Sequence, residues 1–208
     1  MGLEVFVVGL GVLSVALVLG GFVLLFRQRE RERGDLASVW RAYAARRGLE
    51  FVAPRGEWPV TTMPAIEGGV SRSGLSVHAL RVGEALRTRA ELRTGHAVLA
   101  RVLASTDRRD VTDPIAPGDL ADGTGFHVAY AVQATPAALA AKLLGPEVRR
   151  ALAAFHTGAG EVRLEHDRGT VALEWSGGET NPARLDEALR VLDLAAAAVA
   201  SAFFGRAA

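Results

Sequence analysis

The chain reads as an α+β protein in which one N-terminal transmembrane helix precedes a soluble domain with an antiparallel sheet packed by helices. Three observations predict this. Val5–Phe26 is an unbroken apolar run with an arginine-rich stretch directly behind it. Short segments of alternating hydrophobicity recur as neighbouring hairpins, which makes antiparallel sheet. The helical patterns are grouped instead of alternating one by one with strands, which separates α+β from α/β.

The apolar run comes first. Its 22 residues contain no charge and one weakly polar side chain, Ser14. At about 1.5 Å per residue they reach about 33 Å, enough to cross a hydrocarbon core of about 30 Å. A cleaved signal peptide needs a basic leader and a small-residue cleavage site. Here the leader is Met1-Gly2-Leu3-Glu4, and Arg27 follows the run. An uncleaved anchor over residues 1–26 is therefore expected. Ala16 and Gly20 have the four-residue spacing of small residues that lets membrane helices approach closely, but glycine is common in such helices anyway.

Flanking charge sets direction. No Lys or Arg precedes the run, whereas Arg27, Arg29, Arg31, Arg33, Arg41, Arg46 and Arg47 follow it. The positive-inside rule places the N-terminus outside and the C-terminal domain in the cytoplasm, on the inner (cytoplasmic) membrane of the cell. Residues 27–34 form a charged juxtamembrane linker, also readable as a solvated helical extension. Arg27, Arg29, Arg31 and Arg33 are candidates to hold anionic lipid headgroups.

Residues 35–206 form the soluble α+β domain. Asp35–Arg47 predicts a helix, with Leu36, Val39, Trp40 and Tyr43 on one face, Asp35 as N-cap and Gly48 past its end. Leu49–Val52 is a short strand, and residues 54–64 are a loop holding Trp58-Pro59. Ile66–Val70 and Leu75–Val82 read as a hairpin around Arg72-Ser73-Gly74. Thr88–Thr94 and Ala97–Ala104 follow as strands. Residues 105–125 are a polar loop with five Asp, two Pro and three Gly, the best place for an internal boundary. Phe126–Gln133 is expected as a strand. Thr135-Pro136 is expected to open a helix ending near Leu144, and Pro146–His156 is a second helix. Glu161–Glu165 pairs with Thr170–Trp175 across Asp167-Arg168-Gly169. Val162, Leu164, Val171, Leu173 and Trp175 share one face, while Glu161, Arg163, Glu165, Thr170 and Glu174 face water. A last helix runs from Asn181-Pro182 to Phe204. Its second half is apolar on nearly every side, which suits a buried core helix because it is too short for a second span.

Composition excludes more than it selects. The formal net charge is +1, and Lys142 is the only lysine. No global field or aromatic-studded basic surface argues for nucleic acid. With no Cys, disulfide and thiolate chemistry are excluded. No phosphate loop, dinucleotide fingerprint or G-x-S-x-G occurs in the soluble part, so no cofactor is expected.

The titratable candidates are few. His78, His96, His127, His156 and His166 include no pair at helical metal spacing, although His78 and His127, both placed on strands, can meet across a sheet. Asp107, Asp110, Asp113, Asp119 and Asp122 are the only carboxylate cluster, but their spacing is not that of an EF-hand, and Asp in such a loop is ordinary turn chemistry. Ser71 and Ser73 sit in a turn, and Trp40, Trp58 and Trp175 read as packing. No catalytic or metal-binding residue is assigned.

Landmarks in order are RRGLEF, P-x-I-x-G-G-V followed by G-L-x-V, PGDLADGTGF, LLGPEVRRAL and EVRLEHDRGTVALEW. In this sequence, over most of residues 35–204, the chain resembles the uncharacterised single-pass membrane-anchored proteins of myxobacteria and related high-GC bacteria. The resemblance implies an anchored α+β domain and carries no catalytic residue. It also implies an acidic residue after the Phe of PGDLADGTGF, where this chain has His127. The expected function is a cytoplasmic binding or interaction module at the inner membrane, holding a protein partner or a second copy of itself. The alternative is a membrane-anchored enzyme using Asp and His residues near the 105–127 loop.

Overall fold

Alternation of side chains along most strands gives the sheet one face packed by the helices and an opposite, largely polar face, on which Leu103, Ala172 and Ser105 are also buried. The computed structural model describes residues 2–55, 62–70, 72–83, 85–94, 100–116, 120 and 126–205, without the side chains of 2–13, 15, 16, 26, 29 and 204. Among them the strands are β1 (Glu50–Val52), β2 (Ala65–Glu67), β3 (Leu75–Val82), β4 (Ala85–Arg93), β5 (Arg101–Ser105), β6 (Ala131–Thr135), β7 (Val162–Asp167) and β8 (Thr170–Ser176). They form an eight-stranded sheet in the order β1-β2-β3-β4-β8-β7-β5-β6, and every neighbouring pair is antiparallel. Because β5 and β6 pair directly, one sheet continues across the loop where an internal boundary was expected.

The register places Ile66, Val77, Ala90, Leu173, Leu164, Ala104 and Val132 in one cross-sheet row, all buried. This face carries the helices: α1 (Gly2–Arg47), α3 (Ala140–Leu143), α4 (Pro146–His156) and α5 (Pro182–Phe204), while the single turn α2 (Phe126–Ala129) sits between β5 and β6 in the chain. The core joins Leu36, Trp40, Tyr43 and Ala44 of α1 to Leu185, Ala188, Leu192 and Val199 of α5 and to the buried strand row. The expected faces of the β7–β8 hairpin hold, with Val162 opposite Trp175 and Leu164 opposite Leu173. Its two-residue turn needs positive φ at Arg168 and Gly169, 47° and 84°, which matches the twist of the flanking strands. The last helix also matches expectation: the Asn181 side chain caps it by accepting from the Ala183 N–H, and its apolar second half packs in the core.

Three expectations change. The helix expected to begin at Asp35 is instead the last part of α1, which runs unbroken through 27–34, the helical extension that was one reading of that linker. Gln28 donates to Glu32 at 3.1 Å, and Arg33 pairs with Glu30, contacts worth about 0.2–0.5 kcal/mol each on a helix surface. With helix already nucleated on both sides, extending through Arg, Gln and Glu costs little, and Gly34 costs only about 1 kcal/mol. Gly48, at φ 64°, ends the helix as expected.

Phe126–Gln133 is not one strand but α2 followed by β6. Phe126 and Tyr130 are four residues apart and stack with ring centroids at 4.7 Å, a contact that helical spacing makes and strand spacing does not. The segment after Thr135-Pro136 opens as a 3-10 turn over Ala137–Leu139, with Pro136 at the cap, before α3 begins.

Candidate functional site

The apolar part of α1 is exposed wherever its side chains are described. Leu17 to Leu25 are all exposed, with Leu17 at 68%, Val18 at 70% and Leu24 at 69%. At 3.6 residues per turn these positions sweep the whole circumference, so the stretch is exposed on every side. Contiguous exposed apolar surface of this kind marks an interaction with lipid or protein. Among the described residues no helix is long and apolar enough to cross a membrane. The side chains of 5–13, 15, 16 and 26 lie outside the description, so most of the Val5–Phe26 expectation does too. Of the four headgroup candidates, Arg27 and Arg31 are exposed, Arg33 is paired with Glu30, and the Arg29 side chain is outside the described residues.

Two described carboxylates of the acidic loop, Asp107 and Asp110, have protein partners. Asp107 accepts from the Arg109 backbone N–H at 3.0 Å and pairs with the Arg109 guanidinium, which holds its carboxyl below the usual range. Asp110 accepts from Ser105 Oγ at 2.8 Å, and Asp113 is exposed. Asp119, Asp122, His96, Ser71 and Trp58 lie outside the described residues. Among the described residues no group of three or more His, Cys, Asp or Glu is placed to hold a metal ion.

The same loop encloses a cavity of about 210 Å³, lined chiefly by Val111, Ile115, Leu120, Tyr130 and Val132, with Arg108 and His127 also at its wall. Ile115 N–H donates to the Val132 carbonyl at 2.8 Å, which lays the loop along the outer edge of β6 and covers that edge. Burial raises the Tyr130 pKa, and its hydroxyl donates to the Leu152 carbonyl at 3.1 Å. An apolar cavity of about 150 Å³ is known to accept benzene, so a small apolar group fits this one. The cavity does join the loop to His127, and among the described residues no carboxylate lines it.

Among the described residues the histidines expected to meet, His78 and His127, do not converge. His127 is on α2, not on a strand, and β3, which carries His78, is separated from β6 by four strands. His78 lies opposite Arg89, and burial lowers its pKa. His166 is 4% exposed on the covered face, between Val171 and Val102, and burial pushes its imidazole below the ordinary value. His156 meets the Tyr130 ring edge-on at 5.8 Å.

The largely polar sheet face carries a ladder that sequence reading identified only at its β7–β8 end. His78, Arg89, Glu174, Arg163 and Ser105 form one cross-strand row. Arg87 and Arg89 both reach Glu174, and Arg101 and Arg163 both reach Glu165. Although burial works against it, these two guanidiniums hold the Glu165 carboxyl below its usual range. Alternation marked Arg163, Glu165 and Glu174 as solvent-facing, but which Arg meets which Glu depends on the order β4-β8-β7-β5, which no local pattern encodes.

Sequence reading also missed Glu179, whose backbone carbonyl accepts from Trp40 Nε1 at 2.7 Å and whose side chain accepts from Trp175 Nε1 at 3.1 Å. This one residue ties α1 to the end of β8.

No protein-family model and no curated protein matches the chain. Among solved structures it is similar to the crystal structure of the mycobacterial trehalose monomycolate transport factor A, TtfA. The TM-score is 0.52 at 17% identity, covering 79% of this chain and 94% of that one. That likeness concerns the fold: an antiparallel sheet packed by helices.

Proposed function

We propose that this chain is a membrane-tethered binding module whose α+β domain lies on the cytoplasmic side of the inner membrane. One observation carries the reading. The exposed apolar stretch Leu17–Leu25 is continuous, in one helix, with the stripe Leu36, Trp40, Tyr43 and Ala44 that is buried in the domain core. A helix that is apolar on every side at one end and amphipathic at the other suits a rigid link between bilayer and domain. The exposed Arg27 and Arg31 sit where cytoplasmic headgroups would be, and the domain offers an ion-paired sheet face and an apolar cavity for recognition. Similarity to a protein described as a transport factor makes an accessory role in transport one form such a module can take.

The test is a topology reporter fused after Ala208, with alkaline extraction of membranes and affinity capture of the full chain from mild detergent. Cytoplasmic reporter activity, retention in the extracted membrane and a partner lost when Arg89 is changed to Glu are the expected results. Periplasmic reporter activity would sink the orientation. The enzyme alternative draws on the cavity that joins His127 to the loop. A turnover lost on changing His127 or Asp110, with no partner recovered, would favour it instead.

A further inference from the structure

We infer that the tip of the β3–β4 hairpin, around Val82 and Gly83, rests in the headgroup layer of the leaflet from which α1 emerges, giving the domain a second contact with the membrane. This rests on the anchored reading above. The argument begins with strand direction. Leu49 N–H donates to the Ala44 carbonyl at 2.9 Å, and the Arg41 guanidinium lies 5.0 Å over the Phe51 ring. β1 therefore runs back along α1 toward its apolar end. Two antiparallel steps later, β3 runs the same way.

Two rungs give the scale. Val77 is level with Phe51 through Ile66, and so with Arg41. Arg81 Nη2 is 3.3 Å from Glu32 Oε2. From Val77 to Arg81 a strand rises about 13 Å at about 3.3 Å per residue. From Arg41 back to Glu32 a helix rises about 13.5 Å at about 1.5 Å per residue. The agreement means that β3 and α1 run side by side. Gly178 lies between the Leu86 and Leu36 side chains, where an added Cβ would stand 2.5 Å from one and 3.6 Å from the other, so the strand after the tip is near α1 at this level.

Two further strand residues, from Arg81 to Gly83, add about 7 Å, or roughly four to five helical residues. The tip thus reaches the level of Gln28 and Arg27, next to Phe26. A headgroup layer is about 5–8 Å deep on each side, so the tip falls inside it. Val82 is 57% exposed and lies opposite the exposed Ala85, and the sequence between them is Gly83-Glu84, so the tip presents apolar surface beside one acid. With α1 and this hairpin both held, the strands stand along the membrane normal and the ion-paired sheet face is presented sideways along the leaflet.

The chain has no cysteine, so single-cysteine labels report cleanly. The full chain is reconstituted in vesicles of phosphatidylethanolamine with a minority of phosphatidylglycerol, and a fluorescent label is placed singly by Gln28→Cys, Val82→Cys, Val70→Cys or Leu19→Cys. Headgroup spin-labelled lipid is expected to quench the Val82 site at least half as strongly as the Gln28 site. It should leave the Val70 site at background, since that turn lies at the other end of β3. Lipid spin-labelled deep in the acyl chain should quench the Leu19 site. If Leu19 is quenched and Val82 behaves like Val70, the hairpin contact is wrong and the anchor stands. If Leu19 escapes quenching, the anchor fails and the hairpin contact fails with it.

Discussion

Changing Trp40 asks whether the juxtamembrane helix is part of the domain or only a tether. Trp40 is fully buried, and its indole N–H donates to the Glu179 carbonyl at 2.7 Å. Truncating a buried Trp to Ala removes its transfer energy and leaves a cavity, a loss of about 3–5 kcal/mol. Trp40→Phe keeps most of the packing but leaves the Glu179 carbonyl without its donor, a loss of about 1–3 kcal/mol. For a domain of this size each kcal/mol moves the melting temperature by about 2–4 °C. The Ala variant should therefore melt about 6–20 °C below the parent and the Phe variant about 2–12 °C below, with Ala the lower of the two. The assay is thermal unfolding of the full chain in nanodiscs, followed by far-ultraviolet circular dichroism. Because total stability is of order 5–15 kcal/mol, the Ala variant can be unfolded at 37 °C, and limited proteolysis would report that. An Ala variant melting within about 2 °C of the parent would refute the reasoning, since α1 would then contribute no core.

Stability should fall with pH below the ordinary histidine value of 6.5, because burial lowers the pKa of both His166 and His78. The sign follows from linkage. The unfolded chain binds more protons than the fold in this window, so the stabilising contribution is full above pH 6.5 and is lost as pH falls toward the lowered folded value. His166→Leu, an apolar replacement on the covered face, should flatten this slope but not abolish it, since His78 acts in the same direction; an unchanged slope in urea titrations across pH would count against His166. Asp107→Ala should lower stability measurably through its lost cap of the 3-10 turn at Arg108–Asp110. Asp107→Asn should cost less, because the partner Arg109 side chain is 85% exposed and the ion pair is screened. Equal losses for the two variants would mean that charge, not capping, is what Asp107 supplies.

Local pattern recovered the elements whose signals are local. β3 was legible from Leu75, Val77 and Ala79, the β7–β8 hairpin from Asp167-Arg168-Gly169, α4 from Pro146, and α5 from Asn181-Pro182 and Gly205. Reading failed where two local patterns compete. Phe126 to Gln133 is apolar enough for a strand, and only the stacking of Phe126 on Tyr130 decides for a helical turn. Asp35 looks like a cap because capping residues are recognised by identity, yet the helix passes through it without needing one. The cavity and the Arg–Glu ladder were out of reach for a different reason: their parts come from segments far apart in the chain.

Taken alone, the sequence determined an α+β class, the covered and solvent-facing sides of β3 and of the β7–β8 hairpin, and the expectation of a basic-flanked apolar helix at the N-terminus. These follow from periodicity and flanking charge, which act over a few residues. Tertiary structure decided the strand order, the pairing of Arg87 and Arg89 with Glu174, the tie from Trp40 through Glu179 to Trp175, and the alignment of β3 with α1 that brings the hairpin tip level with Gln28. These depend on which distant segments bury one another, because hydrophobic burial is non-directional and leaves the choice among pairings to the packing of the whole chain.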